Sequence, residues 1–91
     1  MVITQSQIEK EWSEKGFSCA LWMDPPGKVW PDFIHDIDEL LMLLDGEMDI
    51  EMNDQLHHLE RQKEILVPAH TLHTVRNVGK KASLWLYGYR R

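Results

Sequence analysis

A chain of 91 residues with 15 acidic and 10 basic side chains carries a formal charge of −5, which argues against the basic surface that nucleic-acid phosphates require. It has no apolar run of transmembrane length, and its opening, MVITQSQIEKEW, lacks the charged-then-apolar form of a signal peptide, so no membrane partner is expected. A lone cysteine forms no internal disulfide, and the chain reads as one cytoplasmic domain, residues 1–91, whose small core would gain from homodimer formation.

Residues 1–16 read as a short helix or arm. Thr4 or Ser6 is placed to cap a helix running to about Lys15. Ile8 and Trp12 share one of its faces, and Gly16 supplies the stop. From Phe17 the period changes to two. Phe17, Cys19, Leu21 and Met23 alternate with Ser18, Ala20 and Trp22, so a strand is expected with Cys19 on the same side as Leu21. Cys19 has no basic activator near it in sequence and reads as a small core residue, not a nucleophile. Asp24-Pro25-Pro26-Gly27 ends the strand with turn residues.

Extended structure resumes over residues 29–35, where Pro31 marks an edge or a bulge. Leu40 to Leu44 is continuously apolar and too short for a lone helix. It reads as a strand buried on both faces, with Asp45-Gly46 as a hairpin turn. In the next strand Met48, Ile50 and Met52 point inward and Glu47, Asp49 and Glu51 point to water. Asn53-Asp54 turns the chain into a shorter strand, residues 55–59. After a polar loop come Ile65 to Val67, stopped by Pro68, then His73 to Val78, a turn at Gly79-Lys80-Lys81, and a last strand from Ala82 to Tyr89. Many short strands at this turn spacing predict an all-β fold, an antiparallel barrel or sandwich over residues 17–91.

Imidazole and carboxylate are the ligands a divalent metal takes where thiolate is absent. His35 and Glu39 share a face on a regular strand, and His73 lies on a second strand bordering the core. Glu39 also directly precedes the most apolar run of the chain, where an unpaired charge is costly. The plainer alternative is a surface His35 and a solvated Glu39 beside Asp36 and Asp38. His57, His58 and His70 lack comparable support and read as surface residues. Tyr87, Tyr89 and His58 are proton carriers by residue type alone. Trp30, Trp85, Met42 and Met48 would line a small pocket or simply pack the core. Asn77 and Arg76 are candidate mouth residues, Arg76 being more at home on a surface acid.

These residues carry a resemblance to the cupin superfamily of small jelly-roll barrels. Its first motif runs Gly, His, His, Glu, Gly at fixed gaps. Gly27, His35, Glu39 and Gly46 fall at the required spacings, and Phe33 stands in place of the first His. In its second motif Pro68, His73 and Asn77 fit, while Gln62 and His70 replace two glycines. The resemblance implies an antiparallel jelly-roll β-barrel over about residues 17–89. It also implies a divalent metal, iron, manganese, nickel or zinc, held here by His35, Glu39 and His73. Two imidazoles and a carboxylate form the donor set of non-haem iron oxygenases, with positions left for water, substrate or O₂. The expected function is metal-dependent chemistry on a small organic molecule. The alternatives are a non-catalytic ligand-binding or sensor barrel, or a metal-free dimerisation scaffold, since one fold hosts all three.

Overall fold

The computed structural model describes residues 4–91. The first three residues of the expected N-terminal arm lie outside that range. Helix α1 spans Gln5–Glu14, and Thr4 is its N-cap in a capping box with Gln7, which satisfies two otherwise orphaned backbone donors. Lys15 closes the helix, and Gly16 follows at φ +85°, a left-handed turn-off suited to glycine. Eight strands follow in chain order: β1 Ala20–Asp24, β2 Val29–Phe33, β3 Glu39–Asp45, β4 Met48–Met52, β5 Gln55–His58, β6 Glu64–Val67, β7 His73–Asn77 and β8 Ser83–Tyr89.

They form two four-stranded antiparallel sheets, ordered β1-β8-β3-β6 and β2-β7-β4-β5. Leu41, Leu43, Val67 and Trp85 of the first sheet pack against Met48, Ile50 and Val75 of the second. Among the described residues no ladder joins the two sheets, so the jelly roll is a sandwich open at its seams and not a closed barrel. Alternation within β3 sends Leu40 and Met42 the other way. There, with Leu86 and Phe17, they receive Ile8 and Trp12 of the helix. Each fully buried side chain of this kind contributes about 1.5–3 kcal/mol, so these two residues dock the helix on the back of the sheet. Trp12 Nε1 adds a hydrogen bond to Glu64 Oε1 at 2.8 Å.

Two sequence expectations need correction. Asp45-Gly46 does not close a hairpin, because β3 pairs with β6 and β8 while β4 pairs with β5 and β7. The turn instead carries the chain from one sheet to the other. Gly46 sits at φ +92°, and a Cβ there would lie 2.7 Å from Ser83 Oγ. The tight hairpin is at Asn53-Asp54, both at positive φ (52° and 59°), which joins β4 to β5. The second correction concerns β1. It begins at Ala20, and Leu21 and Met23 are exposed because β1 is an edge strand paired only with β8. Pro31 lies, as expected, in an edge strand with a register shift between Trp30 and Phe33.

Candidate metal centre

Glu39 opens β3 and is hydrogen-bonded into the sheet on both sides, opposite Val67 of β6 and Tyr89 of β8. It shares the inward face with Leu41 and Leu43, so its carboxylate enters the space between the sheets. His73 opens β7 on the facing sheet, opposite Phe33 and Met52, and points inward with Val75. His35 lies in the bend between β2 and β3 and is tied at the backbone, its carbonyl accepting from the His70 amide at 2.7 Å. Asp38 secures the same bend. Its carboxylate accepts from Ala69 N at 2.8 Å and from Arg90 at 2.9 Å, and those two bonds hold its pKa below the usual carboxylate range.

The two imidazoles and the carboxylate therefore converge from two sheets and a loop. Their donor atoms all lie within 4.8 Å of one another. Glu39 Oε1 stands 3.3 Å from His73 Nε2 and 3.6 Å from His35 Nε2. That oxygen is buried and has no hydrogen-bond partner among the described residues, a costly state that a bound cation would relieve. His73 Nδ1 lies 2.9 Å from the Thr71 carbonyl, which can only accept. The proton of the neutral ring therefore sits on Nδ1, and Nε2 presents a bare lone pair. Such a buried, converging, partly unsatisfied donor set fits a divalent ion.

The cluster ends a cavity of about 210 Å³ whose other walls are mainly aromatic. Phe33, in place of the first motif histidine, faces the cluster: its ring stacks on His35 at 6.0 Å and lies 6.3 Å from His73. Tyr89 lines the same end, 5.1 Å from His35 between ring centroids. Burial, with the charge of Glu39 added, pushes its hydroxyl up to about 12, so it keeps its proton at neutral pH.

Other candidates lie elsewhere. His58 is exposed and pairs with Asp49, and the side it shares with Leu56 is the solvent side. The side chain of His70 is exposed and its contribution is the amide that holds His35. Cys19 packs beside the helix cluster, and burial with the charge of Glu9 raises its thiol to about 11, which leaves it inert. Arg76 pairs with Glu51 at 3.1 Å. Asn77 is not a mouth residue. It is buried, and its amide donates to the carbonyls of Asp24, Pro25 and Lys81 while its oxygen accepts from Gly79 N. Trp30 and Trp85 do line the cavity, whereas Met42 packs under the helix and Met48 in the core between the sheets.

Sequence reasoning missed Asp24 and Trp22. Asp24 reads as the first residue of a proline turn, yet it is 1 % exposed and accepts the indole N–H groups of Trp22, Trp30 and Trp85. Only the unusual number of tryptophans in so short a chain hints at such a cluster.

The family model described as the cupin domain matches residues 20–89. The chain belongs to the cupin family. Cupins of known structure superpose on it closely. A cupin superfamily protein from Desulfitobacterium hafniense is 26 % identical, with a TM-score of 0.72 over 81 % of this chain and 66 % of its own. The Cnp3 cupin domain of Schizosaccharomyces pombe is 19 % identical, with a TM-score of 0.75 over 85 % of this chain and 57 % of its own. An oxalate oxidase is 22 % identical, with a TM-score of 0.70 over 84 % of this chain and 42 % of its own. This cupin thus spans less than two thirds of the length of each of the three structures. No curated protein matches it in sequence.

Proposed function

We propose that this cupin binds a divalent metal through His35, Glu39 and His73 and carries out metal-dependent chemistry on a small organic molecule in the adjoining cavity. The observation that carries this reading is the partnerless, buried Glu39 Oε1 facing Nε2 of both histidines. When bound, a metal at these donors would supply Lewis acidity or, if redox-active, a site for O₂ chemistry. Iron, manganese, nickel and zinc all suit the donor set. The protein's own part is to orient the donors. The Thr71 carbonyl fixes the His73 tautomer, and the His70 amide fixes the His35 backbone. The aromatic walls limit water around them.

In this reading the protein acts in the cytoplasm on a small-molecule partner, without nucleic acid or membrane. It pairs with a second copy through a sheet edge. The exposed Leu21 and Met23 on edge strand β1 support that pairing. A second reading, a ligand-binding or sensor cupin, is favoured by one observation: Phe33 occupies the place of the first motif histidine.

Elemental analysis of untagged protein purified without chelator tests the proposal. Near-stoichiometric metal that is lost in both His35→Ala and His73→Ala, with the fold retained by circular dichroism, is the expected result. Metal content unchanged in both variants would remove the site assignment. No uptake from any of the four ions under anaerobic reconstitution would favour the second reading.

A further inference from the structure

The walls of the cavity differ in chemistry from its metal-donor end. Asp24 is buried at the end of β1, and no lysine, arginine or histidine pairs with it among the described residues. A buried carboxylate without a counter-ion is stable only if hydrogen bonds replace its hydration. Trp22 Nε1 donates to Oδ1 at 2.9 Å, and Trp30 and Trp85 donate to Oδ2 at 2.9 and 3.0 Å. These three are also the tryptophans that line the cavity. Each spends its only polar hydrogen on Asp24 and leaves carbon surface facing inward.

The rings form a circuit. Trp22 lies 6.3 Å from Trp30, and Trp30 lies 6.0 Å from Phe33. Phe33 stacks on His35, His35 meets Tyr89 at 5.1 Å, Tyr89 meets Tyr87 at 6.1 Å, and Tyr87 meets Trp85 at 5.4 Å. Asp24 joins the two ends by accepting from both Trp22 and Trp85. No lysine or arginine lines the cavity, and the Lys28 ammonium sits over the Trp30 ring at 4.4 Å without being part of the lining. A dry apolar cavity of about 150 Å³ holds benzene. A cavity of about 210 Å³ has room for one substituted ring.

We infer that the cavity binds a monocyclic phenol, its ring against the aromatic belt and its hydroxyl toward Glu39, with Asp24 as the positioning residue that holds the belt open. A ring satisfies the shape and the π-faces of the walls. A single hydroxyl satisfies the one polar end. In metal-free protein a small dicarboxylate is disfavoured, because the polar end already holds the Glu39 carboxylate and no lysine or arginine lines the cavity. The orientation of the hydroxyl rests on the proposed metal site, whereas the belt does not. Without metal, Glu39 Oε1 is hydrogen-bonded to no described residue, although the two imidazoles stand beside it, and would accept the hydroxyl hydrogen.

The test follows the indole N–H resonances of the ¹⁵N-labelled full chain, metal-free and metal-loaded, during titration with phenol. Phenol should shift the Trp22, Trp30 and Trp85 signals saturably. Trp12, bonded to Glu64 on the helix side, serves as the internal control and should stay put. Cyclohexanol, of similar size without a π-face, should bind about tenfold more weakly, and in metal-free protein oxalate and tetramethylammonium should shift none of the three. Asp24→Asn should displace one or more of the Trp22, Trp30 and Trp85 signals before any ligand is added, and weaken phenol about tenfold while metal content is retained. Should that variant fail to fold, Trp22 is the alternative, because it is 43 % exposed and its loss leaves Asp24 the hydrogen bonds from Trp30 and Trp85. Trp22→Phe should then keep phenol affinity within about twofold, and Trp22→Ala should lose about tenfold. Absence of phenol shifts in both metal states overturns the inference, as does stronger binding of oxalate or tetramethylammonium to metal-free protein, or unchanged affinity in Trp22→Ala. Metal uptake is measured on the same samples, so the two proposals fail separately. Phenol shifts in a chain that takes up no metal sink only the metal site, and metal uptake without phenol shifts sinks only this inference.

Discussion

Phe33 and His35 stack with their rings 23° from parallel and 6.0 Å apart, and the Phe33 ring also stands 6.3 Å from His73. Position 33 therefore faces the donor cluster although its side chain has nothing to donate. The strand pairing of Phe33 with His73 across β2 and β7 fixes this proximity. An imidazole at position 33 would bring a third nitrogen to the same space. Phe33→His is expected to tighten divalent-metal binding by about tenfold or more, roughly 1.4 kcal/mol. Competition with a chromophoric chelator measures it, and an unchanged Kd would mean that a side chain at position 33 does not reach the ion.

The pH response turns on His73. Its pKa is raised above that of an ordinary imidazole, first by the Glu39 carboxylate 3.3 Å from Nε2 and then by the Thr71 carbonyl, and together these outweigh burial. In metal-free protein the charged ring is therefore favoured by folding. The stabilisation is full below an unfolded pKa of about 6.5 and is lost as pH rises through the higher folded value. The Tm of metal-free protein should fall across that window, and His73→Gln should flatten the fall. Metal binding reverses the sign, because the ion requires a bare Nε2. Acidification should release metal beginning above pH 6.5, earlier than an unperturbed imidazole would. Scanning calorimetry across pH, with and without metal, distinguishes the two slopes. A metal-free Tm that rises through this window would show that the contact does not stabilise the charged ring.

Two residues carry strain that the sequence pattern locates. Gln62 and His70 occupy the places of two glycines in the second cupin motif, and both hold positive φ, 62° and 64°. The backbone has kept the left-handed turns while the side chains have changed, and each such non-glycine residue costs about 1–2 kcal/mol. Both side chains are exposed, and their amides, bonded to the carbonyls of Leu43 and His35, would survive in glycine. The extra freedom of glycine in the unfolded chain takes back part of the gain. Gln62→Gly and His70→Gly should each still stabilise by about 0.5 kcal/mol, or roughly 2–4 °C in Tm. A lower Tm in both would mean that the side chains contribute contacts worth more than the strain.

How far the sequence could be read depends on the range of the interaction. The alternation of Trp85, Tyr87 and Tyr89 against Leu84 and Leu86 is local and sorts β8 correctly into cavity and helix faces, with Leu84 only half-buried. Motif spacing brings out Glu39 and His73 because each opens a strand on an inward position, whereas His35, expected to share one regular strand with Glu39, reaches the site from the bend between β2 and β3. The role of Asp24 is completed by one partner far along the chain, Trp85, 61 residues away, and a proline turn masks its bonds to the nearby Trp22 and Trp30. The Asp45-Gly46 turn looks like a hairpin because turn chemistry is local, while the choice of β6 and β8 as the partners of β3 is not. The exposure of Leu21 and Met23 likewise follows from the edge position of β1, which no periodicity announces.

The helix contributes through one close approach. A Cβ added at Gly88 of β8 would fall 1.7 Å from the Ser18 carbonyl oxygen and 3.1 Å from Trp12 Cε3. The backbone between α1 and β1 crosses β8 there, and Ser18 is held on both sides, its amide donating to the Tyr89 carbonyl and its hydroxyl accepting from the Tyr89 amide. Neither partner is a flexible side-chain tip, so a methyl group cannot be absorbed by a rotamer change. Gly88→Ala must push the segment that carries Trp12 and Phe17 off the sheet. The cost should reach about 3 kcal/mol or more, at the upper end for overpacking. Loss of the near-ultraviolet Trp12 signal with a fall in Tm of about 12 °C or more is the expected result. Because Gly88 lies on the helix side of the sheet, metal content per folded molecule should persist. A Tm within a few degrees of wild type would show that the crossing can shift aside.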